Sequence, residues 1–412
     1  MKALYLKSYY YPESLASSYL GQQTQEALAC EGIKMELYTP TPSRGIEKTI
    51  RKIYRKKLYE QKLEGMLTIH RFPLFAERKN PLFRAFRYTI LCIKLFTKGV
   101  FDQAAKDANV IMVSSTPPII GPTAVFIKKF RHIPIIYNLQ DVFPDSLVGT
   151  GMTRKGSLLW KIGRIIEDFT YKHCDKIIVI SEDFKRNIME KGVPEEKIVV
   201  IYNWVDENKV IPVSKEDNPL FEEFGLNREK FTVVYAGNLG NAQNIKIIAD
   251  AAAILKDRKD IQFVIFGTGG LETELREKIR REQLANIILF PLQPYERVSQ
   301  VYSLGDVCIV SCKAGLGGSA MPSKTWSIMS CGRPVLASFD EGELKTILES
   351  NGCGVFTKAN DIQCFVSAIE DLVADREKCV AMGTAGRKFI LENLTKEVGT
   401  QKYLDVIKSV IK

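Results

Sequence analysis

The chain has 412 residues, which is enough for two or three domains of roughly 150 residues each. Apolar residues make up 45% and charged residues 26%, a balance that excludes an intrinsically disordered chain. The formal net charge is +10, and residues 44–98 alone contain fifteen Lys or Arg and four Asp or Glu. The rest of the chain is therefore almost neutral, and one segment accounts for the basic character.

Nine cysteines lie at scattered spacings without a CxxC pair or a Cys/His cluster, and there are only three histidines. This pattern predicts reduced, buried thiols in a cytosolic protein and no metal site. No signal peptide is recognised. The longest uncharged run, residues 108–127, could span a bilayer by length, but Pro117, Pro118 and Pro122 would break a spanning helix. We expect a buried strand, a loop and a helix start there, in a soluble or peripheral protein.

Short apolar runs alternate with helical patterns along both halves of the chain, which is typical of parallel α/β architecture. The first half is predicted to form strands at Lys2–Leu6, Lys34–Tyr38, Val110–Val113, Ile133–Tyr137 and Lys176–Ile180, with helices at Tyr19–Cys30 and Leu158–Tyr171. In the second half, strands are predicted at Thr232–Tyr235, Gln262–Phe266, Ile287–Phe290, Val307–Val310 and Val335–Ala337. The helices predicted there are Ile245–Lys256, Leu271–Glu282, Glu296–Ser303, Ser323–Cys331 and Ile362–Leu372.

A polar, interrupted stretch between Val205 and Lys230 separates the two halves. We therefore predict two Rossmann-like domains, residues 1–205 and 206–390, followed by a terminal helix in residues 391–412. Such domains bind ligands at the carboxyl ends of their strands. If two of them face each other, the ligand lies in the cleft between them.

Glycine-containing loops follow two predicted strands of the second half and precede helices. The first contains Gly237, Asn238 and Gln243, and the second contains Gly267. Glycines let a backbone approach an anion, and a helix start offers unpaired N–H donors. The second loop lacks the full GxGxxG pattern, which disfavours a nicotinamide cofactor.

A third loop runs from Ala314 through a Gly-rich stretch to Pro322-Ser323-Lys324, and it opens a helix that ends near Gly332. Pro322 suits the first turn of a helix and Gly332 suits its end. Lys324 is placed to add a positive charge to an anion at this helix start. A solvated surface lysine is the alternative interpretation.

Seven motifs follow one another along nearly the whole chain. They are SSTPP at residues 114–118, Gln140-Asp141-Val142-Phe143-Pro144-Asp145, IVIS at residues 178–181, VIYNWVD at residues 200–206, YAGNLG at residues 235–240, Pro322-Ser323-Lys324 and Gly332-Arg333-Pro334-Val335. In this order they resemble glycosyltransferase family 4, particularly its members in capsule, O-antigen and exopolysaccharide synthesis. The resemblance implies the GT-B fold, in which two Rossmann-like domains face each other across a cleft. It also implies a nucleotide-sugar donor held mainly by the second domain and transfer with retention of anomeric configuration. The C-terminal helix, about Leu391–Ile411, would cross back onto the first domain.

The chain departs from the family pattern at the donor site. An Arg and a Lys usually clamp the donor, and those positions here hold Asn238 and Gln243. The usual Glu-x7-Glu pair falls on Ser319 and Ser327. Amides and hydroxyls can hydrogen-bond but supply no charge, so Lys324 becomes the retained cation expected at the diphosphate.

Further donor contacts are expected at Ser17 in the loop after the first strand, at Ser323 and, near the nucleotide base, at Leu292. Ser17 could instead cap the helix that follows it. No metal is expected, because no carboxylate pair is positioned for one. The nucleotide sugar is a substrate, so no cofactor is expected either.

In the first half, the His-Asp of many family members aligns with Gln140-Asp141. Glutamine cannot act as a general base, so Asp141 or Asp145 would take that role if a base is needed. Both aspartates could instead stabilise a turn around Pro144. Glu182 could also face the acceptor, or it could stabilise the start of a helix. Asp141 and Lys324 are thus the candidate catalytic residues, with Gln140, Asp145 and Glu182 on the acceptor side.

The basic segment, residues 44–98, interleaves its cations with apolar residues. Positions 50, 53, 54, 57 and 58 would share one helical face, and four of them are apolar. Basic amphipathic helices bind anionic membrane surfaces, which in similar glycosyltransferases carry a polyprenyl-diphosphate-linked acceptor. A solvated face on a core-packed helix is the alternative. Nucleic acid is disfavoured, because no recognition motif accompanies the charge.

The sequence thus predicts a retaining glycosyltransferase in the cytoplasm, peripheral at the inner face of the cell membrane. It would transfer sugar from a nucleoside-diphosphate donor, with uridine as the expected base, to a lipid-linked glycan in surface polysaccharide synthesis. Two alternatives stay open. One is a nucleotide-sugar 2-epimerase of the same architecture, although its acid/base pair is not evident. The other is a non-catalytic nucleotide-sugar-binding partner of a membrane assembly.

Overall fold

The contacts within the chain divide it into two units. The computed structural model describes residues 1–13, 18–77, 80–149 and 151–411, and only the backbone of 18–20, 81 and 319. The first unit comprises Met1–Tyr202 and Glu397–Lys412, and the second unit comprises Asn203–Lys396. Each unit is built around its own sheet.

The first unit contains an eight-stranded sheet whose order is β3-β4-β2-β1-β5-β6-β7-β8. β3 pairs antiparallel with β4, and the other neighbours pair in parallel. The central strands are buried along their length, which explains their almost unbroken apolar sequences. The strands are β1 (Lys2–Leu6), β2 (Lys34–Pro40), β3 (Tyr59–Lys62), β4 (Leu67–Phe72), β5 (Val110–Ser114), β6 (Ile135–Leu139), β7 (Lys176–Val179) and β8 (Ile198–Val200).

The helices of the first unit connect these strands in chain order. They are α1 (Ser18–Cys30), α2 (Lys48–Lys56), α3 (Pro81–Phe101), α4 (Ile120–Arg131), α5 (Asp145–Gly149), α6 (Leu158–His173) and α7 (Glu182–Glu190). The start of α3 follows from its sequence: the Asn80 side chain accepts hydrogen bonds from the backbone N–H groups of Leu82 and Phe83, and Pro81 has no N–H to satisfy.

The second unit contains a parallel six-stranded sheet whose order is β11-β10-β9-β12-β13-β14. The strands are β9 (Phe231–Asn238), β10 (Ile261–Thr268), β11 (Ile287–Phe290), β12 (Val307–Ser311), β13 (Val335–Phe339) and β14 (Gly354–Lys358). The helices after Tyr202 are α8 (Leu220–Glu223), α9 (Lys246–Ile254), α10 (Glu272–Arg281), α11 (Val298–Ser303), α12 (Lys324–Ser330), α13 (Glu343–Ser350), α14 (Ile362–Ala374), α15 (Arg376–Asn393) and α16 (Lys396–Val410). The predicted alternation of strands and helices is confirmed in both units.

The C-terminal helix differs from the prediction of one helix over 391–411. α15 ends at Asn393 and α16 begins at Lys396, so the helical pattern is interrupted at Leu394 and Thr395. The described part of the chain from Glu397 onward belongs to the first unit. There the side-chain amide of Asn138, in β6, donates a hydrogen bond to the Tyr403 hydroxyl of α16 at 2.9 Å.

The basic segment also differs from its prediction. α2 ends at Lys56, so Lys57 and Leu58 do not share its face. No residue of α2 is buried, so the alternative interpretation, a helix packed on the core, is wrong. Binding of this segment to a membrane stays a prediction. None of the helices that the structure describes is long and apolar enough to cross a membrane. The uncharged run at 108–127 forms β5, a loop and the start of α4.

Candidate functional site

The carboxyl ends of β9 and β10 meet at two glycines. The parallel register places Gly237 directly beside Gly267. A Cβ atom added at Gly267 would lie 2.6 Å from the carbonyl oxygen of Gly237, and Gly237 itself has a φ of +145°. Glycine is therefore required at both positions. The result is a stretch of backbone without side chains at the edge where Rossmann-like sheets bind ligands.

Lys324, the first residue of α12, reaches this stretch of backbone. A Cβ atom at Gly237 would lie 2.9 Å from the Lys324 ammonium nitrogen. The ammonium donates a hydrogen bond to the Tyr235 hydroxyl at 3.0 Å and lies 4.1 Å from the centroid of that ring. The Tyr235 hydroxyl in turn donates to the carbonyl oxygen of Asn238 at 2.8 Å. The structure thus brings together the first and third loops that the sequence indicated.

The Lys324 side chain is half-buried. Burial lowers the pKa of Lys324 to about 8, because desolvation disfavours the charged form. No ion pair found among the described residues includes Lys324. Burial raises the pKa of Tyr235, so its phenol stays neutral and supplies no compensating charge. A desolvated cation without a carboxylate partner gains most from an anionic ligand.

The two amides at the positions of the family's cationic clamp contact each other. The side-chain N–H of Asn238 donates to the side-chain oxygen of Gln243 at 3.2 Å. A Cβ atom at Gly240 would lie 2.7 Å from both amide groups, so the loop closes tightly around the pair. Each amide keeps further hydrogen-bonding capacity for a polar ligand, but neither contributes charge.

The Gly-rich loop before α12 is held by a carboxylate that the sequence did not indicate. One oxygen of Asp340, which follows β13, accepts hydrogen bonds from the backbone N–H groups of Gly315 at 2.7 Å and Gly317 at 2.8 Å. The sequence indicated this loop as a place where an anion could bind. In the structure the Asp340 carboxylate already accepts hydrogen bonds from two of its N–H groups. The loop is thereby fixed before any ligand binds.

The remaining predicted donor residues are more scattered. Leu292 is exposed just beyond β11, Ser323 is exposed immediately before α12, and Ser327 is buried within α12. Their contact with a donor stays a prediction. Ser17 and the side chain of Ser319 lie outside the part of the chain that the structure describes.

In the first unit, Gln140 and Asp141 follow β6 and are held by Ser115. The Ser115 hydroxyl oxygen accepts from the backbone N–H of Gln140 at 3.1 Å and of Asp141 at 3.4 Å. The Gln140 side chain donates to the Asn138 side-chain oxygen at 2.8 Å. Asp141 is exposed at the surface, yet surrounding protein desolvates the carboxyl and raises its pKa to about 6. A carboxylate with such a pKa suits proton acceptance near neutral pH.

Asp145 has fixed partners instead. Its carboxylate accepts from the Lys191 ammonium at 2.5 Å and from the Trp160 indole N–H at 3.3 Å. Burial alone would raise the pKa of Asp145. The hydrogen bond and charge of Lys191, together with the Trp160 hydrogen bond and the charge of Arg164, outweigh burial and lower the pKa. The carboxylate is therefore ionised and anchors the loop that follows Asp141. Glu182 begins α7 directly after its N-cap residue Ser181, whose hydroxyl accepts from the Phe184 N–H at 3.1 Å.

Over the described ranges, no group of three or more His, Cys, Asp or Glu side chains is placed to hold a metal ion. Of the three histidines, His70 contacts the Glu36 carboxylate at 2.7 Å and stacks on Tyr38.

Tyr235, Ser115 and Asp340 are the site residues that sequence reasoning missed. A signal existed for Tyr235: it stands two residues before Gly237 in a strand, so both lie on the same face of the sheet. No such signal existed for Asp340, because its contact with residues 315–317 depends on two loops that are distant in sequence.

Two family models match adjacent stretches of the chain. The model described as glycosyltransferase family 4 matches residues 22–209, and the one described as glycosyl transferases group 1 matches residues 216–389. WcaI of Escherichia coli K12, whose name places it in colanic acid biosynthesis as a glycosyl transferase, is 25% identical over 96% of this chain and 98% of its own. WbjE of Pseudomonas aeruginosa, named as a glycosyltransferase, is 24% identical over 80% of each chain.

Solved structures share the fold over the full length. HepE from Anabaena in complex with UDP has a TM-score of 0.73 at 16% identity, covering 99% of this chain and 100% of that one. Sucrose-phosphate synthase from Thermosynechococcus elongatus has a TM-score of 0.77 at 14% identity, covering 99% and 98%.

The two family models leave out only 1–21, 210–215 and 390–412, and the motifs that carried the resemblance lie inside the matched stretches. The predicted family and fold are confirmed. The chain is a glycosyltransferase of family 4 with the GT-B fold.

Proposed function

We propose that the protein transfers a sugar, with retention of anomeric configuration, from a uridine diphosphate sugar to a lipid-linked glycan in surface polysaccharide synthesis. The observation that carries the donor half is the desolvated Lys324 ammonium beside Gly237. HepE, a structural neighbour, was crystallised with UDP. Another relative, 24% identical over 59% of this chain, is named as a galactosyltransferase that uses UDP-Gal and a diphosphoundecaprenol-linked sugar.

In this proposal the donor diphosphate lies against Gly237 and Gly267, where an added side chain would block its approach. Lys324 neutralises part of its charge. Asn238 and Gln243 hydrogen-bond the donor in place of the usual Arg and Lys, and Ser323 and Ser327 contribute hydroxyls. Leu292 lies near the nucleotide base.

The chemical step breaks the bond between the anomeric carbon and the diphosphate oxygen, and it forms a bond from that carbon to the acceptor hydroxyl. Negative charge grows on the departing diphosphate, so a fixed cation lowers the barrier. Asp141 accepts the proton of the acceptor hydroxyl, since its raised pKa lets it bind a proton near neutral pH. In this proposal Gln140 and Glu182 contact the acceptor, and Asp145 keeps the Asp141 loop in position through Lys191.

The acceptor half is supported by the charge of residues 44–98 and by the exposure of α2. We propose that this segment attracts the protein to the anionic inner face of the cell membrane, where a polyprenyl-diphosphate-linked acceptor resides. Lys and Arg near such a surface each contribute about 1 kcal/mol.

The test has two stages. Thermal unfolding is first measured with UDP, GDP and a panel of their sugar conjugates, because a ligand that binds the folded state raises the apparent stability. The donor found is then incubated with lipid-linked acceptors, and the anomeric configuration of the product is determined. We expect a uridine nucleotide to give the largest shift and the product to keep the donor's configuration.

Three results would contradict the proposal. A preference for GDP would remove the uridine assignment, and an inverted product would remove retention. An epimerised donor formed without acceptor would instead support the epimerase hypothesis.

A further inference from the structure

α6 packs small and polar residues against the rest of the protein and leaves most of its large aliphatic side chains exposed. The residues that it buries are Gly163, Glu167, Thr170 and Tyr171. Four of its five large aliphatic side chains are exposed instead: Leu158 is 75% exposed and Ile165 is 68% exposed, with Leu159 and Ile162 about half exposed. Amphipathic helices of globular proteins normally bury the apolar side. The outward side of α6 therefore resembles the face of a helix that has a partner.

The exposed side of α6 is also basic. Residues 151–173 contain five cations, Arg154, Lys155, Lys161, Arg164 and Lys172, against two carboxylates. Of these carboxylates, Glu167 is buried and Asp168 pairs with Arg164. Arg154, Lys155 and Lys161 are exposed, as is Met152 in the preceding turn. This second cluster of cations lies outside the basic segment at 44–98, and the near-neutral total for the rest of the chain conceals it.

Aromatic contacts extend this surface across neighbouring helices. Phe169 of α6 lies 6.0 Å from Phe126 of α4, measured between ring centroids. Phe130, one turn further along α4, lies 5.4 Å from Phe96 of α3. Phe126 and Phe130 are 47% and 62% exposed, and the Lys129 ammonium lies over the Phe126 ring. Apolar residues of three adjacent helices thus form one stripe, in which the linking rings of Phe96 and Phe169 are half-buried.

The stripe is defined by exposed side chains of α4 and α6 together with the half-buried Phe96 of α3: Phe96, Phe126, Phe130, Leu158, Leu159, Ile162 and Ile165. An exposed apolar surface of this extent marks an interaction site.

We propose that this stripe inserts into the interfacial layer of an anionic lipid bilayer. A bilayer matches both properties of the surface, because the aliphatic and aromatic side chains can enter the acyl boundary while the cations reach the headgroups. A second copy of the chain fits less well. A symmetric dimer would place Lys155 and Lys161 of one copy near the same cations of the other, and the exposed carboxylate of α6, Asp168, already pairs with Arg164.

The inference rests on the proposed function in one respect, since a lipid-linked acceptor requires the enzyme to work at a membrane. Beyond the proposed function, it identifies the surface of the protein that enters the bilayer. Residues 44–98 would supply attraction, whereas the stripe would supply the apolar insertion that holds the protein in place.

The test measures binding to vesicles of phosphatidylcholine, with and without phosphatidylglycerol, by co-sedimentation. The double variant Ile162→Gln/Ile165→Gln removes two exposed side chains, and glutamine keeps the helix propensity. We expect it to weaken binding by about tenfold or more. A matched double variant, Val380→Gln/Leu391→Gln, removes two exposed apolar residues of α15 and is expected to bind as the wild type does.

Lys155→Gln/Lys161→Gln is expected to weaken binding only to vesicles that contain phosphatidylglycerol. Unchanged binding of the Ile162→Gln/Ile165→Gln variant would overturn the proposal. A wild-type dimer that this variant converts to monomers would also overturn it, in favour of a second copy. Donor-induced thermal shifts are measured on the same proteins: vesicle binding without any donor shift would refute the proposed function and leave this inference standing.

Discussion

Lys324 and the cations of α2 carry the same charge in opposite surroundings. Lys324 is a single ammonium held against Gly237 and Tyr235, and burial lowers its pKa to about 8. α2 carries five Lys or Arg within nine residues and buries none of them. A desolvated cation interacts strongly with one bound group, whereas solvated cations add weak, screened attractions to a surface. The number of charges in a segment therefore does not locate the chemistry.

Removing the single cation gives the largest expected effect. We expect Lys324→Gln to lower kcat by about a hundredfold to a thousandfold, because the departing diphosphate loses its fixed positive charge. The variant is also expected to lose most of the donor-induced thermal shift. Lys256→Gln, at an exposed lysine of the same unit, serves as the control and should behave as the wild type. Normal turnover by Lys324→Gln would refute the donor site proposed here.

Asp141→Asn is expected to lower kcat on the order of a hundredfold, the usual contribution of a positioned general base. The pKa of Asp141 is raised to about 6, so the carboxylate form needed for proton acceptance is lost as the pH falls through 6. The wild-type rate should therefore fall below pH 6, and the variant's residual rate should lack that limb. Asp107→Asn, at an exposed aspartate, is the control. An acidic limb that persists in Asp141→Asn would assign the base elsewhere.

Neutralising three exposed cations of α2 tests whether its solvated cations attract the protein to a membrane surface. The variant Lys52→Gln/Arg55→Gln/Lys56→Gln is expected to lose about 1 kcal/mol of attraction per residue, or about a hundredfold in affinity for anionic vesicles. Its free energy of unfolding should change by only about 0.5 kcal/mol or less, since α2 buries no residue. The same exchange at Lys256, Lys259 and Lys388 of the second unit is the control. Equal losses in both triple variants would show that only net charge matters.

Donor affinity should depend on pH through Lys324. Because its pKa is lowered to about 8, the ammonium form is lost as the pH rises through 8. Donor binding should weaken above that pH, by up to about tenfold per pH unit, and should take up protons near pH 8. Calorimetry in buffers of different ionisation enthalpy measures that uptake. Lys324→Gln should show neither effect, and a wild-type affinity independent of pH between 7 and 10 would contradict the assignment.

Asp340→Asn gives the smallest expected effect. An asparagine oxygen can still accept from the N–H groups of Gly315 and Gly317, but without the carboxylate's charge. We expect the KM for the donor to rise a few-fold with kcat nearly unchanged, consistent with roughly 1 kcal/mol for a weakened hydrogen bond. Asp340→Ala should raise the KM further. An Asp340→Ala variant with wild-type KM would show that the loop does not need this tie.

The strands could be predicted because their burial on both faces produces apolar runs, as in Val110–Val113. Segment ends were less predictable. The pattern at 50–58 suggested one helical face, but the chain leaves the helix after Lys56 and pairs as β3 from Tyr59. A continuous helix over 391–411 was likewise expected, and nothing in its periodicity indicated the break at Leu394.

In the proposed donor site, the sequence indicated Gly237, Gly267 and Lys324 because glycine and lysine at such positions have few chemical uses. The structure places Lys324 beside Gly237. The hydrogen bond between Asn238 and Gln243 depends on the local path of one loop, and the contacts of Asp340 depend on how two separate loops approach each other. Residue spacing encodes neither. The exposed apolar side of α6 was also missed. The helical spacing of its apolar residues is the same whether they face a core or the outside of the protein. The sequence therefore predicted the helix but not its orientation.

The neutral amide pair at Asn238 and Gln243 affects how strongly donor affinity should depend on salt concentration. The proposed donor site has one cation, Lys324, where the family pattern has three. Its affinity should change little when salt is added, because buried charges are screened less than exposed ones. Attraction to the membrane through exposed lysines and arginines should fall steeply over the same range. Added salt should therefore release the enzyme from vesicles while leaving its hold on the nucleotide sugar nearly intact, so that the two halves of the reaction can be separated without any mutation.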